Sequence, residues 1–401
     1  MIRILVIFFS LLAASLCFAQ SRIIRNDRVA DSPITAASFK LTESLQSRSS
    51  TDQLTITLGD ATAISFIPQL MLSGPNKASL RIFLADSTAP LAAKEMTVNS
   101  RPGVWFSSGI NQRHLVYLRD STSLEWEIIL DSLPQSNRFR FPIQLDHLVA
   151  YYQPPLTEKE IAENHERADS AIGSYAIYHP TFGKLCHIYR PRAFDRDGRA
   201  VWCDMTIDSF LAITIPSDFL TTAAYPIRID PTFGYTTVGA SSLSILSSRC
   251  YANGAAVYRH TASAGERIDS FRVHWKTYSG NDDTLDIALY SWNSGPQSRL
   301  DTAVWTVTSS GTAIWVISAP IAQALASGAE YTIAMNLREG APRISYDAGI
   351  TGDHRYDNVN DLPSTWTEDG TGTYLLSAFA YYTVTSSSQP TPTRRSRMLN
   401  L

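Results

Sequence analysis

The chain of 401 residues is poor in charge and, after its first nineteen residues, has no apolar run long enough to cross a bilayer. Asp, Glu, Lys and Arg make up 18% of the sequence, and the formal net charge is −3. A chain with this charge has no excess of basic residues with which to bind nucleic acid or anionic lipid. The sequence therefore predicts a protein without a transmembrane span and without a nucleic-acid partner.

Several signatures of enzymes are also missing. There is no G-x-S-x-G elbow, because the Gly173-Ser174 pair lacks the second glycine and precedes a strand pattern. There is no H-E-x-x-H motif, P-loop or dinucleotide fingerprint. Cys186 and His187 are adjacent, but neighbours on a strand point to opposite faces, which disfavours a thiol enzyme or a zinc site. These absences argue against several enzyme classes without excluding an enzyme.

The N-terminus has the pattern of a secretory signal peptide. Arg3 precedes an apolar run over residues 4–12, and small residues follow, which predicts cleavage after Ala19. A lipoprotein acylated at Cys17 is the alternative, disfavoured by the bulky Leu16. We therefore expect a signal peptide over 1–19 and a secreted, extracellular or cell-surface protein. The polar, aperiodic residues 20–50 predict a flexible extension.

Three cysteines follow the signal peptide. A hairpin centred on the polar turn from Asp195 to Gly198 would place Cys186 opposite Cys203. In an oxidising compartment this favours a Cys186–Cys203 disulfide, and two buried free thiols are the alternative. Cys250 is left over, either buried or available for pairing between molecules.

Short alternating runs indicate an all-β, mainly antiparallel fold. LTITL (54–58), SLRIFLA (79–85) and LEWEIIL (124–130) begin the series, with Gly, Pro, Asn and Ser between the runs. Eight further runs between Phe233 and Val384 are typical of a jelly-roll β-sandwich. We predict a β-rich N-terminal domain at 51–231, a C-terminal β-sandwich at 232–384, and a disordered Ser/Pro/Thr and basic tail at 385–401.

One short helix is predicted on local grounds. Thr157 and Glu160 have the spacing of a capping box, and a charged segment follows that Gly173 ends. The segment has little apolar surface, so we expect a surface connector with a solvated His165. Ser217 is expected to cap a further single turn.

The succession LEWEIIL, YYQPPLT, GSYAIYH, HIYRP, GRAVW and YPIRIDPTFGYT, over residues 124–237, resembles a module of uncharacterised extracellular and phage-associated proteins. This resemblance implies an N-terminal unit followed by a variable β-sandwich, a structural or display role and no catalytic residues. The runs LDIALYSW, ASGAEYTIAM and LLSAFAYYTV are similar in pattern to carbohydrate-binding jelly rolls. That likeness implies a sugar ligand only weakly, since the fold hosts many functions.

Two pairs of carboxylates have the spacing needed for acid–base chemistry. Glu125 and Glu127 share one face of a predicted strand, and Asp204 and Asp208 share another. The alternative to a glycosidase is an exposed polar face opposite a buried Trp126, and we favour that alternative.

Two groups of oxygen-bearing side chains lie near predicted turns in the C-terminal half. Such ligands suit Ca²⁺, but neither group has EF-hand spacing, and Asp and Asn are ordinary turn residues. Solvated turns are the favoured interpretation, with a calcium site as the alternative. The residues are Asp282, Asp283 and Asp286, then Asp353, Asp357, Asn358 and Asp361.

Aromatic residues beside turn-forming residues are candidates for a sugar-binding surface, because sugar rings lay their C–H faces on aromatic rings. The candidates are Trp292, Tyr346, Tyr356 and Trp366. Three tryptophans in mid-strand positions are instead expected in the core: Trp275, Trp305 and Trp315.

The sequence thus favours a secreted, non-catalytic binding or adhesion protein that recognises an extracellular glycan or a surface protein through its C-terminal sandwich. A structural component that self-associates on a surface or virion is the alternative, and a glycoside hydrolase is a third hypothesis. No cofactor other than Ca²⁺ is suggested.

Overall fold

Antiparallel strands account for most of the structure, with two short helices, and the predicted all-β fold is confirmed. The computed structural model describes residues 55–59, 67–74, 77–85, 91, 93–109, 111–119, 123–180, 183–234, 238–255, 260–276, 283–307, 313–384 and 397–399. The predicted signal peptide and extension lie outside these residues. In the described part of the chain, no helix has the length and apolar character needed to cross a membrane.

The N-terminal half is a sandwich of two sheets. Sheet 1 contains, in spatial order, β1 (Thr55–Leu58), β2 (Gln69–Ser73), β3 (Ser79–Phe83), β8 (Arg138–Asp146), β16 (Phe210–Thr214) and β15 (Asp204–Ile207). Sheet 2 runs from β14 (Ala200–Trp202) through β13 (Arg192–Phe194), β17 (Ile227–Ile229), β7 (Ser123–Leu130), β18 (Thr232–Gly234), β12 (Gly183–Ile188) and β11 (Tyr175–His179) to β9 (Val149–Tyr152). It continues from β7 through β6 (Gln112–Leu118), β5 (Arg101–Ser107) and β4 (Ala93–Val98).

Alternation along the strands forms the core of this N-terminal sandwich. Leu80 and Ile82 of β3 are buried, whereas the residues between and beside them are partly exposed. From the other sheet, Trp126 and Ile128 of β7 join the same apolar cluster. The two sheets therefore share one core, as the period-two pattern of the sequence requires.

The C-terminal half is a second sandwich. Sheet 3 contains β10 (Glu166–Arg167), β19 (Ser241–Ser244), β28 (Arg343–Ala348), β22 (Glu266–Lys276), β32 (Ala378–Val384) and β33 (Arg397–Leu399), with β25 (Ala313–Ile317) and β26 (Gln323–Ala324) paired to β22 and β31 (Tyr374–Leu376) paired to β28. Sheet 4 contains β24 (Pro296–Val307), β23 (Asp283–Trp292), β27 (Glu330–Glu339), β20 (Cys250–Asn253), β29 (His354–Asp357) and β30 (Gly370–Gly372), with β21 (His260–Thr261) paired to β27.

The core between sheets 3 and 4 includes Phe271, Trp275, Ile287 and Ile333.

The predicted boundaries are shifted by strand pairing. β18 lies beyond the predicted boundary at 231/232, yet it pairs with β7 and β12 of sheet 2. β10 comes from the N-terminal half but pairs with β19 of sheet 3. In the predicted disordered tail, β33 pairs with β32, so that prediction is wrong for 397–399; residues 385–396, 400 and 401 lie outside the described part.

The first helix, α1 (Glu158–Ala162), begins with the predicted capping box: the Thr157 hydroxyl accepts from the Glu160 N–H, and the Glu160 carboxylate accepts from the Thr157 N–H. The helix is shorter than predicted, because Asn164 takes a positive φ of 57°. The second helix, α2 (Ser217–Thr222), has Pro216 at its N-cap without a side-chain hydrogen bond, so the predicted Ser217 cap is wrong.

Polar contacts join the two sandwiches along β28. The Gln153 side chain donates to the Ala348 carbonyl at 3.1 Å and accepts from the Ala348 N–H at 2.7 Å. His165 is buried against Tyr346 rather than solvated, which corrects the prediction for that residue. The two sandwiches are therefore fastened to each other by specific hydrogen bonds as well as by β10.

Candidate ligand-binding site

The four aromatic residues predicted to bind a ligand do not share an exposed face. Tyr346 lies on β28 with 0% of its surface exposed. Trp292 at the end of β23 and Trp366 in the loop after β29 are each 8% exposed. Tyr356 on β29 is partly exposed, with the Arg249 guanidinium 4.6 Å from its ring centroid. The expectation of exposed loop aromatics is therefore wrong for three of the four.

The loop from 358 to 369 explains the burial of Trp366. This loop crosses the outer face of sheet 4, where the Trp366 ring packs edge-on against Tyr290 at 5.4 Å between centroids. The Tyr290 hydroxyl donates to the Pro363 carbonyl at 2.6 Å. The backbone N–H of Trp366 donates to the Gln297 carbonyl at 2.8 Å. The aromatic rings here form a second, small core instead of a binding platform.

The carboxylates Glu125 and Glu127 lie on β7, buried on the side opposite Trp126. The Thr232 hydroxyl donates to Glu125 at 3.0 Å, and Arg228 donates to Glu127 at 3.0 Å. Burial raises the pKa of Glu125 to about 8. The favoured expectation of an exposed polar face is wrong, and contacts within the sandwich hold both carboxylates.

The second carboxylate pair lies on the surface. Asp204 forms an ion pair with Arg190 at 2.9 Å, and Asp208 accepts from the N–H of Phe210 at 2.7 Å, which closes the turn before β16. The pair therefore contributes to a surface contact and a turn, the ordinary roles of such residues.

The favoured expectation of solvated turns is wrong for four of the proposed calcium ligands, because Asp283, Asp286, Asp353 and Asp357 are buried. In the part of the chain that the structure describes, no group of three or more His, Cys, Asp or Glu side chains is arranged to hold a metal ion. Backbone N–H groups of Ala341, Ile350 and Thr367 donate to Asp283, Asp353 and Asp357, and Arg338 forms an ion pair with Asp286 at 2.9 Å. The Asn358 side chain accepts from Arg249, and the Asp361 carbonyl accepts from the Cys250 thiol. Asp282 lies outside the described residues.

The predicted disulfide is not formed. Cys186 on β12 faces Ile177 of β11, and Cys203 follows β14; both are free and buried. The hairpin around the Asp195 turn is shorter than predicted and pairs Arg192 with Trp202. β12 instead pairs with β11 and β18, which separates the two cysteines. Cys250 is also a buried free thiol.

A different group of aromatic residues lies on the outer face of sheet 3. On β22, Val273 and Trp275 belong to the core, so Arg272 and His274 project outward. The neighbouring β25 places Trp315 opposite His274, and β32 places Phe379 opposite Arg272. We call Arg272, His274, Trp315, Phe379 and Tyr381 the aromatic face.

The rings of the aromatic face are in contact with one another. The Trp315 and Phe379 centroids are 4.9 Å apart, and those of Phe379 and Tyr381 are 5.5 Å apart. His274 meets Trp315 edge-on at 5.2 Å. Phe379 is only 3% exposed, whereas Trp315 and Tyr381 on either side of it are partly exposed. A buried ring thus supports two accessible ones, an arrangement that fixes their positions.

Polar groups accompany these rings. Arg272 lies 5.5 Å from the Tyr381 ring centroid and donates to its hydroxyl at 2.9 Å. His274 Nδ1 is 2.8 Å from the Ser345 hydroxyl, and burial lowers the pKa of His274 to about 4. The Arg272 guanidinium, a neutral imidazole and the Tyr381 hydroxyl therefore lie beside the aromatic surface, whereas the Ser345 hydroxyl is buried against His274.

Two of the three tryptophans expected in the core can be placed. Trp275 is fully buried, as predicted, but Trp315 lies on the outer face and was assigned wrongly. The side chain of Trp305 lies outside the described part. The alternation RVHW placed His274 and Trp275 on opposite faces, but the position of Trp315 depends on its pairing with His274, which is remote in sequence.

Comparisons with known proteins add little. No family model matches the chain, and no curated protein matches it. Among solved structures, the chain is similar to an exo-beta-1,3-galactanase from Phanerochaete chrysosporium, with 10% identity, coverage of 74% of this chain and 94% of that chain, and a TM-score of 0.14. A likeness of this size does not establish a shared fold or function.

Proposed function

We propose that the protein is a secreted, non-catalytic binding protein whose C-terminal sandwich recognises a carbohydrate through the aromatic face. The observation that carries this proposal is the row Trp315, Phe379 and Tyr381 on the outer surface of sheet 3, with ring contacts of 4.9 and 5.5 Å. The proposed binding surface is therefore the aromatic face and not the loop aromatic residues predicted from the sequence.

The chemistry of the aromatic face matches that of a sugar. A pyranose ring has a flat side of C–H groups, which packs favourably on the electron-rich face of an aromatic ring. Its edge carries hydroxyl groups, for which the Arg272 guanidinium and the Tyr381 hydroxyl are suitable partners. Binding sites of this kind combine apolar surface with a few fixed polar groups.

The same residues favour binding over catalysis. His274 has a pKa near 4 because of burial, so its imidazole is neutral at neutral pH and already hydrogen-bonded to Ser345. General acid–base catalysis works best with a pKa close to the working pH. The Arg272 guanidinium serves as a hydrogen-bond donor.

The test is a glycan array and a pull-down on insoluble polysaccharides with the full secreted chain. We expect selective retention that Trp315→Ala abolishes. Tyr152→Ala is the matched control, because Tyr152 is an aromatic residue with 46% exposure on the N-terminal sandwich. Failure of the wild-type protein to bind any glycan, or equal binding by the Trp315→Ala variant, would contradict the proposal.

Self-association is a second candidate function, supported by the edge strand β24. This strand has twelve residues and ends the order of sheet 4, with β23 as its pairing neighbour. Leu300 and Val304 on it are exposed. The loop from 358 to 369 already pairs with the start of β24, at Gln297 and Arg299, so the part from Leu300 onward is the edge that can pair with another chain.

Light scattering over a range of concentrations tests this second candidate. A Val304→Lys change should shift oligomers toward monomer, because charge on an edge strand opposes strand pairing. Val384→Lys, at another exposed valine, is the control and should leave the oligomers unchanged. A wild-type protein that stays monomeric at high concentration would eliminate this candidate.

A further inference from the structure

Lys184 and Asp347 form a fully buried ion pair between the two sandwiches. Lys184 lies on β12 and Asp347 on β28, and Nζ is 2.8 Å from Oδ2. Their side chains are 1% and 0% exposed. Removing an ammonium and a carboxylate from water is unfavourable for each ion, and pairing them offsets part of that cost. Burial therefore disfavours the charged form of each side chain.

Hydrogen-bond donors surround both oxygens of Asp347. The Tyr178 hydroxyl donates to Oδ2 at 2.7 Å, and the Ala240 N–H donates to Oδ1 at 2.9 Å. Lys184 also donates to the Val238 carbonyl at 2.9 Å, which orients the amine. The amine nitrogen is thus held in contact with the carboxyl group through Oδ2, with a further donor on each oxygen; such donors stabilise the negative charge of a tetrahedral intermediate.

His187, which lies beside Asp347, shows that the surroundings of the ion pair exclude water. Its ring is fully buried, its Nε2 is 2.6 Å from the Ser174 hydroxyl, and its Nδ1 is 4.0 Å from Asp347 Oδ1, without a hydrogen-bond partner. Burial lowers the pKa of His187 to about 3, so the ring is neutral. In Asp347 the Lys184 ammonium and the hydrogen bonds to its oxygens outweigh desolvation and hold the pKa below its usual range, so the resting pair is ionised and a proton must pass from Lys184 before the two groups can react.

We propose that Lys184 and Asp347 condense to an intramolecular amide bond that covalently joins the two sandwiches. An ammonium proton passes to Oδ2, and the freed Nζ lone pair attacks the Asp347 carboxyl carbon. The Ala240 N–H stabilises the negative charge that develops on Oδ1. The C–Oδ2 bond then breaks, Oδ2 takes the second proton from Nζ, and one water molecule leaves. The ammonium and carboxylate become one neutral amide, and no oxidant, reductant or co-reactant is consumed.

The intact mass of the purified full chain, measured under denaturing conditions after its N-terminus has been determined, tests this proposal. We expect a mass lower by one water molecule than the sequence requires. Tryptic digestion should yield a branched peptide that contains both Lys184 and Asp347 and is uncleaved after Lys184. The loop closed by the bond should also make the denatured chain migrate faster on an electrophoresis gel.

Variants assign the mass difference to this pair. Lys184→Arg and Asp347→Ala should each restore the full mass, and Tyr178→Phe should slow the loss of water. Lys159→Arg, in the exposed pair of Lys159 with Glu163, is the control and should keep the mass deficit. A full mass in the wild-type chain, or a deficit that maps to other residues, would overturn the proposal. Because the readout is mass on the denatured wild-type chain, it does not depend on the folding of any variant.

Discussion

His165 of the N-terminal sandwich meets Tyr346 of the C-terminal sandwich, with 2.9 Å between Nδ1 and the phenolic oxygen. The two rings pack edge-on at 5.4 Å. Their sequence positions, 181 residues apart, gave no sign of this contact. It explains why His165 is not solvated and why Tyr346 is not available to a ligand. Both side chains serve the junction between the sandwiches.

Removing the hydroxyl group of Tyr346 should weaken this junction. We expect Tyr346→Phe to lower the free energy of unfolding by about 1 kcal/mol, the usual net contribution of one buried hydrogen bond. Urea unfolding followed by fluorescence measures the change. Tyr381→Phe, at a partly exposed residue, should lower the free energy of unfolding by less. Equal losses in the two variants would contradict the claim that the Tyr346 hydroxyl stabilises the junction.

Trp366 should behave as a core residue. We expect Trp366→Ala to lower the free energy of unfolding by roughly 3 kcal/mol or more, because it leaves a cavity beside Tyr290 and under the loop from 358 to 369. Trp315→Ala, at the partly exposed outer face, should cost clearly less. Thermal unfolding of the two variants makes the comparison, and a reversed order would show that the assignments of core and surface are wrong.

Glu125 should make stability depend on pH. Its pKa is raised from 4.5 to about 8 by burial, so the folded protein holds this proton more tightly than the unfolded chain. The resulting stabilisation is fully present below pH 4.5 and is lost as the pH rises toward 8. Relative to wild type, Glu125→Gln should gain stability across this range, by on the order of a few kcal/mol.

Urea unfolding at several pH values measures that difference. Asp230 also has a raised pKa, about 7, because of burial, and its charge adds to the raised pKa of Glu125, so the difference between the two proteins includes their coupling. Glu95→Gln, at an exposed position on β4, is the control and should give a difference that does not change with pH. A pH-independent difference for Glu125→Gln would contradict the assignment.

The three cysteines should be unreactive in the folded protein. Burial raises the pKa of Cys186, Cys203 and Cys250 to about 12 in each case, so the reactive thiolate is scarce at neutral pH. Iodoacetamide should label none of them in the native state and all three after denaturation without reductant. Labelling of Cys250 alone would instead reveal a Cys186–Cys203 disulfide.

Local patterns predicted the local structure well. The alternation in SLRIFLA and LEWEIIL correctly indicated strands, and the Thr157–Glu160 spacing correctly placed the start of α1. These features depend on residues a few positions apart, whose geometry the backbone fixes. The hairpin of Cys186 and Cys203 failed because the chain leaves β12 after Ile188 and begins a new, shorter pairing at Arg192.

The candidate site depended on pairing between distant strands. Trp275 and Trp315 both lie in alternating runs, yet one fills the core and the other lies on the outer face. The sequence does not state which face of β25 meets the core, because β25 pairs with β22 across some forty residues. The same holds for Lys184 and Asp347, which meet only when the two sandwiches dock.

The most direct test of carbohydrate recognition is calorimetric titration of the wild-type chain and two variants with the glycan that the array identifies. We predict that Trp315→Ala weakens binding at least about tenfold, which corresponds to 1.4 kcal/mol. Tyr152→Ala should bind like the wild type. Unchanged affinity in Trp315→Ala would contradict the assignment of the binding site to the aromatic face.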